Sequence, residues 1–206
     1  MDLDSATSRP YGGVSAEARR EERRERLIEA GVELFGRDGY RSSTIESVCR
    51  ESGLAKRYFY ESFGTKEDLL SAVYDHLRVG LRGRVAEGAL SGSGLDAVLG
   101  AFDGLLSWVE DNPRGARVHL FEVLGVSPRI DADYRGATQE FAELLVDALI
   151  GSDVLSPGQA KVLGLTVVGA GLQLAQNWVL NDLEPPRSDL VADARGLLTT
   201  LAAAGA

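Results

Sequence analysis

Between Leu27 and Phe63 the chain repeats one pattern three times: apolar residues at helical spacing, then a glycine that ends the run. Leu27, Ile28, Gly31, Leu34 and Phe35 fall at i, i+1, i+4, i+7 and i+8, one stripe of a helix expected over 16–37. Gly39 suits the left-handed residue that closes such a helix. Ser43 followed by Glu46 has capping-box spacing, so a second helix should start there and bury Ile45, Val48 and Cys49. Gly53 breaks it early. A third short helix, over 55–63, buries Phe59 and Phe63 at i and i+4, and Gly64 stops it. Thr65 with Asp68 opens a longer helix from Lys66 to about Glu87. Two short helices joined by a tight glycine turn and braced by a longer one form helix-turn-helix geometry.

The rest of the chain continues in the same manner. Helical patterns are expected at 95–111, 113–125, 130–150, 157–181 and 187–203, broken at Asn112-Pro113, Ser127-Pro128, Ser156-Pro157 and Pro185-Pro186. Alternating β-branched runs are nearly absent, so the fold class is all-α. Residues 1–15 are polar and bear Gly and Pro, and read as a disordered lead-in. With 44% apolar and 26% charged residues the 206-residue chain falls in the soluble globular range. Its most apolar stretch, Val162–Leu180, carries Thr166, Gln173, Gln176 and Asn177, which argues against a lipid-spanning helix and any membrane partner. No secretory leader is apparent. With Cys49 as the lone cysteine, a cytoplasmic location is expected, without an internal disulfide, a metal site or a cofactor.

Catalysis finds little support. Phosphate-loop, nucleophile-elbow and His-Glu-x-x-His patterns are missing, and Gly92-Ser93-Gly94 is too short to cradle a phosphate. His76 and His119 lie far apart, and each reads more readily as structural. The chain is therefore expected not to be an enzyme.

A net charge of −9 makes nucleic acid an unobvious partner, but the charge is uneven. Arg37–Lys66 holds six basic and four acidic residues, while 81–206 holds nine basic and sixteen acidic. Binding to a polyanion depends on the field at the docking face, not on the sum over the chain. On a wheel of about 100° per residue with Phe59 inward, Arg57 and Glu61 point outward, Tyr58 and Tyr60 flank them, and Lys56 sits at the N-terminal edge. Arginine offers a fork for guanine O6 and N7, and tyrosine a phenolic donor and a flat ring. Thr44 and Lys66 stand at helix starts where phosphates are gripped. The arginine run 19–26 alternates with Glu21, Glu22 and Glu25, and reads as a self-paired solvated face rather than a backbone-tracking arm.

Thr44-Ile45-Glu46-Ser47-Val48, Ser52-Gly53-Leu54, Tyr60, Phe63, Lys66 and Leu69, with Gly39-Tyr40 upstream, resemble the N-terminal domain of tetracycline-repressor-like (TetR family) regulators. The resemblance covers about Glu21–Leu77. It implies a three-helix DNA-binding head, 16–65, on a helical ligand-binding and dimerisation bundle, 66–206. It further implies a homodimer on double-stranded palindromic operator DNA, and a transcriptional repressor released by a small-molecule effector. Carried over residue by residue, DNA contact falls to Thr44, Lys56, Arg57, Tyr58, Tyr60 and Lys66. Ala55 stands where the family usually has a hydroxyl-bearing N-cap, and Cys49 where it usually has alanine.

Two expectations concern the body. Phe102, Trp108, His119, Phe121, Tyr134, Gln139 and Phe141 mix aromatic and polar groups as the lining of an effector pocket would. Gly164, Val168, Gly171, Leu172 and Ala175, with Leu197 on the last helix, would permit close approach of two protomers in a four-helix contact, or else form the core of one subunit. A helical protein-interaction module that does not bind DNA is the alternative to the whole reading.

Overall fold

The computed structural model describes residues 15–150 and 156–204. Apart from Ser15, the expected lead-in lies outside the described residues. Among the described residues there is no strand. The helices are α1 (Ala16–Asp38), α2 (Ile45–Ser52), α3 (Lys56–Ser62), α4 (Lys66–Ala89), α5 (Leu95–Asp111), α6 (Pro113–Arg117), α7 (Pro128–Ile150), α8 (Pro157–Leu180) and α9 (Arg187–Ala204).

Local chemistry sets the boundaries in the head. The cap of α2 is Thr44, one residue later than the Ser43–Glu46 spacing predicted. The Ser47 N–H donates to Thr44 Oγ1 at 3.1 Å, and the Thr44 N–H donates to Ser47 Oγ at 2.9 Å. Ser43 is engaged elsewhere, its hydroxyl donating to Gly39 O at 2.8 Å. Gly53 has φ 66°, the left-handed conformation that reverses the chain between α2 and α3 without a β-carbon to resist it. Thr65 and Asp68 form the expected box on α4, whereas α3 begins at Ala55 with no side-chain cap.

The helix expected over 113–125 is the main departure. α6 ends at Arg117 and the chain widens into a π-turn, Val118–Glu122. Such turns break the regular hydrogen-bond ladder and leave carbonyls for other donors. Leu120 O accepts from Gln176 Nε2 of α8 at 2.9 Å, and the Gly125 N–H donates to Asp131 Oδ1 at 3.0 Å.

α1, α2, α3 and the first half of α4 close around Leu27, Leu34, Phe35, Val48, Phe59, Leu69 and Leu70, all buried. Cys49 lies in the same core, where burial pushes its thiol pKa up. The second half of α4 runs antiparallel along α5, nearly backbone to backbone. A β-carbon on Gly88 would stand 2.0 Å from Gly100 O, and one on Gly104 2.3 Å from Arg84 O. α7 packs on α8, and α9 lies on α5 while barely touching α8. By length and composition α8 alone among the described residues could cross a bilayer. Here Gly164, Val168, Ala175 and Trp178 form a buried edge that packs into the bundle.

Candidate DNA interface and effector cavity

α3 presents a two-sided helix. Phe59 is fully buried and touches Phe63, with ring centroids 5.8 Å apart, while Lys56, Arg57, Tyr60 and Glu61 are exposed and Tyr58 is half-exposed. The Arg57 guanidinium lies 4.5 Å from the Tyr58 ring centroid and donates to its hydroxyl. Lys56 pairs with Glu46 of α2, a surface contact that a phosphate oxygen can replace at little cost. Thr44 is exposed at the start of α2.

Arginines of α1 hold this face in place, a role the sequence pattern did not reveal. Arg20 Nη2 donates to Glu61 O at 2.7 Å and Arg26 Nη2 to Ser52 O at 2.6 Å, so each meets a carbonyl at the C-terminal end of a short helix. There the helix dipole favours a cation. Arg23 lies over the Tyr58 ring at 4.6 Å and reaches the Glu61 carboxylate at 3.5 Å. Arg24 keeps an i,i+3 pair with Glu21. The run is thus partly a brace, because the guanidinium forks span to neighbouring helices more directly than to their own.

Lys66 also departs from the expected phosphate grip. Its ammonium donates to Tyr40 O and Ser43 O, both at 2.7 Å, and stands 4.2 Å from the Tyr40 ring centroid. Partial burial draws its pKa below the ordinary lysine value. With its donors turned onto the 40–43 turn, the side chain ties α4 to the entry of α2.

In the body, α4, α5, α7, α8, α9 and the π-turn surround a cavity of 480 Å³. Of the residues expected in the lining, Phe102, His119, Tyr134 and Phe141 are there. Trp108, Phe121 and Gln139 are not. Trp108 is one layer back, its indole beside Gly80 and edge-on to His119 with centroids 5.8 Å apart. Phe121 is half-buried against the core, and Gln139 turns its amide to Glu143 at 3.2 Å. Tyr74, Leu81, Val85, Leu99, Leu105 and Val167 complete much of the wall. They were missed because single positions on three helices carry no sign of whether they face a neighbour or a void.

The π-turn joins the cavity to the head. His119 lines the cavity and stacks on Tyr74, with centroids 5.1 Å apart. Three residues on, Glu122 Oε2 accepts from the Tyr40 N–H at 2.9 Å, in the turn that Lys66 clamps. Nearby, α1 and α6 approach closely, leaving no room for a β-carbon at Gly36 against Arg114 O.

Residues 27–73 match the profile of bacterial regulatory proteins of the tetR family. Over 180 residues the chain is 26% identical to the HTH-type transcriptional activator FasR of Mycolicibacterium smegmatis, covering 84% of this chain and 81% of that one. It is 25% identical over 198 residues to the HTH-type transcriptional regulator TcmR of Streptomyces glaucescens, covering 89% and 86%. The solved structure of the transcriptional regulator FadR from Bacillus subtilis superposes with a TM-score of 0.73 at 18% identity, over 84% of this chain and 96% of FadR. The head that residues 27–73 carry is of the TetR type.

With this helix-turn-helix head on a helical bundle, the protein is a DNA-binding transcriptional regulator. The α8 residues expected to pair two protomers do not lie on a free face. A β-carbon on Gly164 would stand 2.7 Å from Ala142 O of α7, and Ala175 is fully buried in the same protomer. Val168, Gly171 and Leu172 face the cavity. Leu197 is exposed at the cavity rim. The free face of α8 is the opposite one, with Val162 67% and Leu180 67% exposed and Leu165 and Gly169 between them. Small residues on a helix read equally well as a seam within one bundle or between two.

Proposed function

We propose that this regulator is a repressor that works in the cytoplasm as a homodimer on a palindromic operator and leaves it when an apolar small molecule fills the cavity. The head, 16–65, reads DNA through Arg57, Tyr58 and Tyr60. Thr44, Lys56 and the backbone at the start of α4 meet phosphates. The observation that carries this is α3 itself: a fully buried Phe59 fixes its roll and leaves the arginine and tyrosines outward. One short helix reads few base pairs, so two heads on a two-fold site supply the specificity.

The body, 66–206, supplies pairing and control. The exposed apolar stripe Val162, Leu165 and Leu180 of α8 supports a contact between protomers that includes α9. FadR of Bacillus subtilis was solved in complex with stearoyl-CoA, and the cavity here likewise supports an effector with a large apolar part. Such an effector acts only through its unequal affinity for the two states; about 3 kcal/mol of difference lowers operator affinity roughly a hundredfold.

The test is a mobility shift on genomic operator fragments with palindromic and half-site versions. Arg57→Ala is expected to cost about 1–3 kcal/mol and to relax preference at one base pair of each half-site. Equal binding of both proteins, or equal binding to half-site and palindrome, would overturn the docking.

A further inference from the structure

The cavity has an open side and a closed end of different character. At the open side, between α8 and α9, stand exposed Thr166, Ala170, Leu174, Asp193 and Leu197. At the closed end are Tyr74, His119 and Tyr134, with Tyr74 and His119 almost wholly buried. Between them the wall is nearly all hydrocarbon.

His119 is out of keeping with that wall. It is 3% exposed, and its Nδ1 has no hydrogen-bond partner, the sole such buried side-chain atom among the described residues. Its ring is held on two sides, stacked on Tyr74 and edge-on to Trp108, so the nitrogen cannot swing to another partner. A buried polar atom left unpaired destabilises the fold unless something arrives to pair it. Apolar side chains of the same size would fill this place without that cost.

The charge of the lining restricts what can arrive. No lysine or arginine is among the described lining residues, and the one charged side chain, Asp193, is exposed at the mouth and negative. A carboxylate or phosphate carried to the closed end would lose its water and find no cation. An ammonium would find no anion there. The titratable groups around the closed end are Tyr74 from α4, His119 from the π-turn and Tyr134 from α7. Burial raises both phenol pKa values and lowers that of His119 to about 4, so all three are neutral at pH 7.

We propose that the effector is an uncharged, mainly hydrocarbon molecule whose one hydroxyl or carbonyl oxygen is seated at the closed end against the His119 imidazole. This rests on the reading of the cavity as the effector site. At about 30 Å³ for a water-sized group, 480 Å³ holds on the order of 16 such groups, which sets the upper size. A hydroxyl satisfies either tautomer of the imidazole, and a carbonyl satisfies the one protonated on the nitrogen that faces it.

The experiment is isothermal titration calorimetry at pH 7.5 with 1-decanol and decanoate, two chains below the size limit that differ only in the head group. 1-Decanol is expected to bind at least tenfold more tightly than decanoate. His119→Phe, which keeps the volume and removes the nitrogen, is expected to lose about tenfold for 1-decanol, and His119→Gln to restore most of it. Equal or tighter binding of decanoate, no binding of 1-decanol, or an unchanged 1-decanol affinity in His119→Phe would each overturn the proposal. The same titrations with operator DNA present separate the two readings. Head-group-selective binding that leaves DNA bound sinks the release model and keeps this one. Release by decanoate as readily as by 1-decanol does the reverse.

Discussion

In the head, two capping boxes, two arginine braces and one lysine clamp hold α2 and α3 against a core whose large members, Leu27, Phe35, Phe59 and Leu69, are fully buried. In the body, longer helices with more apolar surface leave 480 Å³ unfilled and one free apolar face on α8. The difference shows what each half must do. A recognition helix needs one roll and one height, so Arg20, Arg26 and Lys66 are turned onto backbone carbonyls. An effector site needs void, and the body forgoes dispersion contacts to keep it. The body itself is also uneven, close-packed where Gly88 meets Gly100 and open where α8 faces α9.

The sharpest way to break this contrast is to truncate one aromatic in each half. Phe59→Ala is expected to cost about 3–5 kcal/mol, since it opens a cavity in a closed core. Phe102→Ala, whose ring already borders a void, is expected to cost about 1–2 kcal/mol. Urea unfolding of the two variants checks this, and equal losses would mean the body collapses around its cavity in solution.

Acid tests the cavity from the other side. The folded-state pKa of His119 is near 4 against 6.5 for an ordinary histidine, so the unfolded chain takes up the proton first as pH falls. Stability from this group is whole above about pH 6.5 and is lost by pH 4, about 3 kcal/mol in all. Denaturation midpoints across that range in wild type and His119→Phe should differ in slope, the variant lacking this share.

Lys66→Met tests the clamp. It is expected to lower stability by about 2 kcal/mol through two charge-assisted bonds, while leaving the salt slope of operator binding unchanged. A slope flattened by about one would restore the phosphate contact. The smallest effect belongs to the missing cap: Ala55→Ser is expected to add about 0.5–1 kcal/mol, read as a rise in Tm.

These contrasts also track what the sequence made readable. The helix positions other than 113–125, the Gly53 turn, the Thr65–Asp68 box and the inward roll of Phe59 follow from rules within a few residues, and these appear in the structure. The Ser43 box slipped by one because Gly39 O competes for its hydroxyl. Arg20, Arg26 and Lys66 were misread because their partners are backbone carbonyls 23 to 41 residues away, which leave no trace in spacing. In the body, Phe102, His119, Tyr134 and Phe141 reached the cavity, yet Trp108 lies behind it. Gly164 and Ala175 turned inward for the same reason: periodicity gives the face of a helix but not its neighbour.

His119 and Glu122 share one turn of chain. A substitution there that retunes which molecule is sensed also shifts the anchor of the Tyr40 turn, so the two traits are inherited together. Phe102 and Phe141 carry no such tie. Lineages, or laboratory selections, that acquire a new signal without losing their operator should therefore accumulate changes on α5 and α7 and leave 118–122 alone.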